Sequence, residues 1–423
     1  MSRHQNYVIF SIYRMKSNLL LFTDHYPFGT SEPFLADELP YLSQQFGHIL
    51  IVPLDSSNNS IQRSIPDNAE VFTPTIKDYK SKSQLFFRGL TGRGSIIRLL
   101  KELIHSGAWK DLHKLVHWLT VALLIRTYTP IFQKVAKSIE HPENTVLYFY
   151  WGQRWSQVLP FFHHKFREIV LRIHGSDLYE YLYRDYIPFR KQQLLIADKI
   201  FTISEMGQNY LKKRYPELET KIQIARLGSS DWGLNPINKE EGSSFTIVSC
   251  AGLIKIKRIP QIPEILSHTK SKIHWYHFGD GPEMEDVVKA CQLIPSHVSC
   301  RLMGHVTHKE LLHFYSKNHV DLFINVSITE GIPVSIMEAL SFGIPVMATD
   351  VGGTSELVYS QNGYLIPKVF SPSETGHQLD ALLQSESLPE MRRFARESWR
   401  LLSDSKKVYP EFIIKLAAGN HTK

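Results

Sequence analysis

The chain has 423 residues, more than one compact core accommodates, so two domains of roughly 150 to 200 residues are expected. Hydrophobic residues at 43% and charged residues at 21% are those of an ordinary globular protein and exclude a disordered chain or a coiled coil. The net charge of +7 is unevenly spread, and the three cysteines, Cys250, Cys291 and Cys300, contain no CxxC pair, which argues against a disulfide framework or zinc site and for a reducing compartment.

Residues 1–14, MSRHQNYVIFSIYR, carry no small-residue cleavage site and read as an extension ahead of Met15. Short apolar runs then alternate with helical patterns, the signature of parallel sheets built from βαβ units. A first series comprises NLLLFT (18–23), HILIVP (48–53), TVLYFY (145–150), EIVLRIH (168–174), KIFTIS (199–204) and KIQIARLG (221–228). Within it, the segment Thr75 to Glu140 holds twelve Lys/Arg against four acidic residues, a local charge of +8. Those cations are interleaved with Leu85, Phe86, Phe87, Leu90, Ile96, Ile97, Leu99, Leu100, Leu103, Ile104 and Trp109. Amphipathic helices lying on an anionic membrane surface have this pattern, and so do core-packed helices with a solvated charged face. No helix-turn-helix, zinc-finger or RNP signature supports a nucleic-acid partner. The best apolar run, Leu115 to Ile125, is about half of what a bilayer requires and contains His117.

A turn-rich stretch, 229–244, precedes a second series: FTIVSCAG (245–252), IHWYHFG (273–279), VSCRLMG (298–304), DLFINVS (321–327) and IPVMATD (344–350). The expected organisation is α/β, with two doubly wound Rossmann-like domains facing across a cleft. The first spans 15–234, a linker 235–244, the second 245–400, and a helical tail 401–423 returns toward the first domain. In such sheets ligands bind beyond the carboxyl ends of the strands.

The richest segment is SITEGIPVSIMEALSFGIPVMATDVGGTSELV, residues 327–358. A loop with Glu330 and Gly331 leads into a helix with Pro333 at its first position and Gly343 just past its end. The amino end of that helix, at Val334 and Ser335, would favour a phosphate. Glu338, flanked by Ile336, Met337, Ala339 and Leu340, needs donors if it is buried, and ribose hydroxyls would supply them.

From 321 to 363, ending in Asn362 and Gly363, this segment resembles the E-x7-E region of family 4 retaining glycosyltransferases of the GT-B fold, such as those of bacterial capsule, O-antigen and exopolysaccharide synthesis. The resemblance extends over nearly the whole chain from Met15. It implies that Glu330 contacts a donor sugar and Glu338 the nucleotide ribose. SCAGLIKIKRI (249–259) is similar to the loop that grips the donor diphosphate, with Lys257 at the lysine position. Many relatives have an arginine where this chain has Gly252, leaving Lys255 or Arg258 to substitute. HFGDGPE (277–283), with Gly279 and Gly281, matches a nucleotide-pocket turn. RIHGSDLY (172–179) implies that His174 faces the donor sugar and that Asp177 orders its loop. TDHYPFGTSEPFL (23–35) resembles the acceptor-side loop, with Gly29 and Thr30 at its tip and Glu32 as an acceptor contact.

The partners so implied are a UDP- or GDP-sugar donor, used as co-substrate with no separate cofactor or metal, and a glycan or lipid-linked oligosaccharide acceptor. An anionic membrane surface is the further partner the basic segment points to, placing a cytoplasmic protein peripherally on the inner face of the membrane. There is no D-x-D pair, and no side chain stands out as a nucleophile, which agrees with front-face displacement. A GT-B phosphorylase or epimerase, and a non-catalytic membrane-associated protein of the same fold, are the competing expectations.

Overall fold

The computed structural model describes residues 16–29, 31–55, 63–72, 96–162, 165–237 and 242–418. The extension 1–14, Thr30, and the stretch holding Lys77 to Arg93 lie outside the described residues.

Two parallel sheets organise the chain. The first contains β1 (Asn18–Thr23), β2 (Ile49–Pro53), β3 (Ala69–Val71), β4 (Thr145–Phe149), β5 (Glu168–Ile173), β6 (Lys199–Thr202) and β7 (Ile222–Ile224), in the order β3-β2-β1-β4-β5-β6-β7. The second contains β8 (Phe245–Cys250), β9 (Ile273–Phe278), β10 (Val298–Leu302), β11 (Leu322–Asn325), β12 (Val346–Thr349) and β13 (Gly363–Ile366), in the order β10-β9-β8-β11-β12-β13. Near-continuous Val, Ile and Leu runs suit strands covered on both faces; Leu20, for example, lies between Leu50 and Leu147 in register. The order reverses between β1 and β4 and between β8 and β11, opening a crevice at the carboxyl edge of each sheet.

The helices of the first half are α1 (Pro33–Gln45), α2 (Ile96–His105), α3 (Leu112–Ser138), α4 (Gly175–Leu178), α5 (Arg190–Ile196) and α6 (Glu205–Arg214). Those of the second are α7 (Gln261–Ser267), α8 (Met284–Cys291), α9 (His308–Lys317), α10 (Val334–Ser341), α11 (Pro372–Leu383) and α12 (Leu388–Leu402); α13 (Ser405–Ala417) follows. In α13, Phe412, Ile413 and Leu416 join the apolar cluster of Leu21, Ile51 and Val146, so this helix packs on the first sheet.

Three expectations are corrected. β3 and β13 were not anticipated, being too short and too polar at Glu70 and Tyr364 to stand out as apolar runs. The apolar stretch near 115–125 belongs to a 27-residue helix, α3, whose best 18-residue window has a mean hydropathy of 1.3, long and apolar enough to cross a bilayer. Tyr128, Phe132 and Val135 bury its inner face against Phe22 and Phe149 of the sheet, as a core helix does. Finally, Cys291 at the end of α8 and Cys300 in β10 form a disulfide, with Cα atoms 6.2 Å apart. The turn between α8 and β10 brings them together, so the absence of a CxxC pair did not exclude a disulfide.

One buried ion pair ties α1, β5 and the start of the crossover together. The fully buried Arg172 guanidinium pairs with the fully buried Glu38 and donates to the carbonyls of Ala225 (2.9 Å) and Arg226 (3.0 Å). Burial pushes the Glu38 carboxyl up, against the pull of Arg172 and Tyr148. Replacing Arg172 with Met strands Glu38 in an apolar interior and is expected to cost about 3–5 kcal/mol in urea unfolding, partly recovered by adding Glu38→Leu. A loss below about 1 kcal/mol would show that the pair is dispensable.

Candidate active site

The carboxyl edges of the two sheets meet backbone to backbone. A Cβ on Gly175, the first residue of α4, would lie 2.4 Å from the Cα of Gly331 in the loop after β11, so the approach is open only to glycine. The Gly353 amide donates to the Gly331 carbonyl (2.8 Å), fixing that loop within the second half. A clasp beside it crosses between the halves. Glu356 of the second half accepts from the amides of Glu205 and Met206 at the start of α6 (2.9 Å each) and from Arg226 (2.6 Å).

Glu330 precedes this contact. Its Oε1 accepts from Lys257 Nζ at 2.6 Å and from Asn325 Nδ2 at 3.3 Å, and its side chain is 10% exposed. Lys257 comes from the loop after β8 and Asn325 from the end of β11, the two strands flanking the switch point. The Ile328 amide bonds the Ile256 carbonyl (2.8 Å), joining the two loops. Beyond Glu330, Pro333 is extended (φ −77, ψ 107) and stands one residue before the first helical position, not at it; Gly343 (φ 72) follows the helix end. The amides of Val334 and Ser335 precede the first intrahelical bond and have no acceptor among the described residues.

Glu338 is buried on α10, and its donor here is His308 Nε2, 2.7 Å from Oε1. His308 opens α9, where Thr307 and Glu310 form a capping box. Its hydrogen bond to Glu338 raises the imidazole above its usual range, burial opposing. Asp37 of α1 faces the same pair across the cleft, accepts from Ser230 Oγ at 2.7 Å, and is pushed up by its own burial.

On the first-sheet side, His174 ends β5 buried among Trp151, Tyr150 and Phe34, with ring centroids 4.4, 4.9 and 6.0 Å away. Burial, with Arg172 nearby, holds its imidazole well below the usual range, hence neutral, and Nε2 is buried without a hydrogen-bond partner. Asp177 accepts from the amides of Gly152 (2.5 Å) and His174 (2.6 Å), tying the loops after β4 and β5. Burial pushes its carboxyl up to about 6.

Other expected site residues are placed differently. Glu32 is turned inward: its carboxylate accepts from the amides of Asp24, His25 and Tyr26 (3.0, 2.8 and 2.7 Å) and from Trp151 Nε1 (2.7 Å). It shapes the loop of Gly29 (φ 64) and is not free for an acceptor. Thr30 lies outside the described residues. Arg258 does not reach toward a phosphate, because its guanidinium is committed to the carbonyls of Val326 (2.6 Å), Ser327 (3.1 Å) and Lys368 (2.9 Å). Lys255 is exposed on the loop beside Gly252. Gly279 and Gly281 pack under that loop with φ 147 and 156; a Cβ on Gly279 would lie 1.9 Å from the Ala251 carbonyl.

Sequence reading missed Asn325, His308, Asp24 and Arg154. Only Asn325, a polar residue at the end of an apolar strand, left a signal. Asp24 follows β1; burial pushes its carboxyl up to about 7 against the pull of Arg154, whose Nη1 lies 2.5 Å from Oδ2.

Two facing parallel α/β sheets joined at their carboxyl edges constitute the GT-B fold. Residues 248–385 match the family described as Glycosyl transferases group 1. The chain is 32% identical over 129 residues to the O-antigen biosynthesis glycosyltransferase WbnH of Escherichia coli, covering 29% of this chain and 34% of that one. Over 182 residues it is 31% identical to a component of human phosphatidylinositol N-acetylglucosaminyltransferase, covering 41% of this chain and 36% of that one. The matches span half or less of the length of these curated relatives. Among solved structures, HepE of Anabaena in complex with UDP superposes with a TM-score of 0.62 at 14% identity, over 95% of this chain and 99% of that one, a likeness of fold.

The His308–Glu338 pair gives the site a pH signature. A folded-state imidazole raised above its unfolded value stabilises fully below about pH 6.5, and the gain is lost as pH rises through the raised value. His308→Gln is therefore expected to lower the melting temperature at about pH 5.5 and to leave it unchanged near pH 9. Equal losses at both would show that the ion pair is not the source.

Proposed function

We propose that the chain is a retaining glycosyltransferase that moves a sugar from a nucleotide diphosphate sugar to a hydroxyl of a glycan acceptor in bacterial surface polysaccharide synthesis. The observation that carries the reading is the pair of inward-facing carboxylates on one loop and helix, Glu330 held by Lys257 and Glu338 by His308, where the sheets meet. WbnH, whose name assigns it to O-antigen biosynthesis, supports the setting, and HepE, whose structure contains UDP, supports a UDP-sugar over a GDP-sugar.

In this reading the ribose hydroxyls take the place of His308 on Glu338, and a hydroxyl of the donor sugar meets Glu330. The diphosphate lies over the amides of Val334 and Ser335, with Lys257, and Lys255 in place of the missing arginine, neutralising it. The acceptor oxygen bonds to the anomeric carbon from the face that the diphosphate leaves. The breaking C–O bond gives its electron pair to the diphosphate, and the acceptor proton passes to a phosphate oxygen. Fixed amides and lysine perform the charge stabilisation that a metal ion supplies elsewhere. His174, neutral and with Nε2 unpartnered, is suited to a sugar hydroxyl.

The human relative named for phosphatidylinositol supports an acceptor carried on a lipid, which would hold the enzyme peripherally on the inner face of the cytoplasmic membrane.

UDP and GDP are expected to differ in a thermal melt, UDP giving the larger stabilisation. Glu338→Gln should abolish that shift. Glu330→Gln should keep it while lowering transfer about 100-fold or more, read as UDP release dependent on acceptor. An active double variant would contradict the assignment.

A further inference from the structure

The Glu338 carboxylate is half committed. Its Oε1 accepts from His308 Nε2 at 2.7 Å, and its Oε2 has no donor among the described residues. A ribose cis-diol brings two O–H donors, and a carboxylate receives such a pair with one on each oxygen. Binding the diol therefore requires His308 to give up Oε1. The ring is placed to yield. It belongs to the first residue of α9, its side chain is 45% exposed against 10% for Glu338, and this is its one side-chain hydrogen bond among the described residues. Thr307 and Glu310 cap α9 with their own side chains, so the start of the helix does not depend on where the imidazole points.

The titratable groups around the ring come from several elements. Glu338 of α10 holds its proton by the hydrogen bond, and Asp37 of α1 attracts it from across the cleft. Asp37 accepts from Ser230 Oγ at 2.7 Å and is pushed up by burial; it acts on the ring whether or not Glu338 has another partner. On α9 itself, Glu310 is turned back to Thr307. Behind Glu338, burial pushes the Cys250 thiol up to about 12 and the Tyr315 hydroxyl well above its usual range, so both stay neutral near neutral pH. Glu338 is thus the partner whose loss changes the proton affinity of His308 most.

We propose that His308 is a positioning residue of the donor site, one that satisfies the Glu338 carboxylate until the ribose hydroxyls displace it and then releases its proton to solvent. The imidazolium N–H bond breaks, the ring is left neutral, and two O–H donors replace one N–H donor on the carboxylate. This exchange rests on the reading of Glu338 as the ribose ligand. With the diol on Glu338, the imidazole falls back from its raised value toward the ordinary one. Nucleotide affinity is therefore low and flat below about pH 6.5, rises as pH climbs between the ordinary and the raised value, and is level above that window. Acidification loosens the donor with no change at Glu330 or Lys257.

The probe is UDP-glucose, whose diphosphate diester, unlike the terminal phosphate of UDP, takes up no proton in this range. Its dissociation constant for the full chain, measured by calorimetry, is expected to fall at least about threefold from about pH 5.5 to about pH 8.5. Titrations at about pH 7 in two buffers of different ionisation heat should register net proton release on binding. His308→Gln offers the same carboxylate an uncharged donor. It should bind the probe more tightly than the wild type at about pH 5.5, equally at about pH 8.5, and release no proton. Asp37→Asn should still release it, which locates the source at His308. A residue serving only the fold would weaken binding at every pH when replaced. That result, a wild-type affinity independent of pH, or proton release retained by His308→Gln would overturn the exchange. Failure of both UDP and UDP-glucose to bind at any pH would count against the glycosyltransferase reading itself, whereas binding without proton release counts against the exchange alone.

Discussion

The closeness of the two halves is set where Gly175 and Gly331 lie against each other with no side chain between them. Any Cβ there would push the carboxyl edge of β5 away from the loop after β11, and with it His174 away from Glu330. The contact has little apolar area of its own, so its persistence depends on the links around it: Glu356 at the amino end of α6, and α13 crossing back to bury Phe412 in the first sheet. A helix start is a natural place to receive a carboxylate from another body, because its first amides have no partner of their own.

Within the cleft, acidic side chains are satisfied by different kinds of partner. Glu330 is paired with the Lys257 ammonium and Glu338 with the His308 imidazole, and each carboxylate side chain is 10% exposed. Asp177 is satisfied by amides of two loops, at Gly152 and His174, and Glu32 by three successive amides, and both act on loop shape. The distinction separates groups able to change partners from groups whose loss would unravel the loop. Arg258 illustrates the second case among cations, since each of its three guanidinium nitrogens donates to a backbone carbonyl, at Val326, Ser327 and Lys368.

The outer face of α2 and α3 is built on opposite terms. There, apolar side chains remain in solvent while the buried Glu102 is used to dock the helix.

Much was legible in the chain alone because local rules sufficed. Apolar runs bounded by turn residues located eleven of the strands, β3 and β13 excepted, and the Pro333–Gly343 punctuation located α10 to within a residue. The carboxylates of Glu330 and Glu338 were visible as an E-x7-E spacing across that boundary. What the tertiary structure alone decided concerns partners distant in sequence. His308 meets Glu338 from 30 residues away, Lys257 meets Glu330 from 73, and Glu356 reaches the start of α6 from 151. The inward turn of Glu32 and the commitment of Arg258 to carbonyls were equally hidden, as was the Cys291–Cys300 bridge. Periodicity and caps are properties of a few neighbouring residues and can be read directly. Which donor satisfies a buried carboxylate depends on how packed elements bring remote segments within hydrogen-bond reach, and no local pattern encodes that distance.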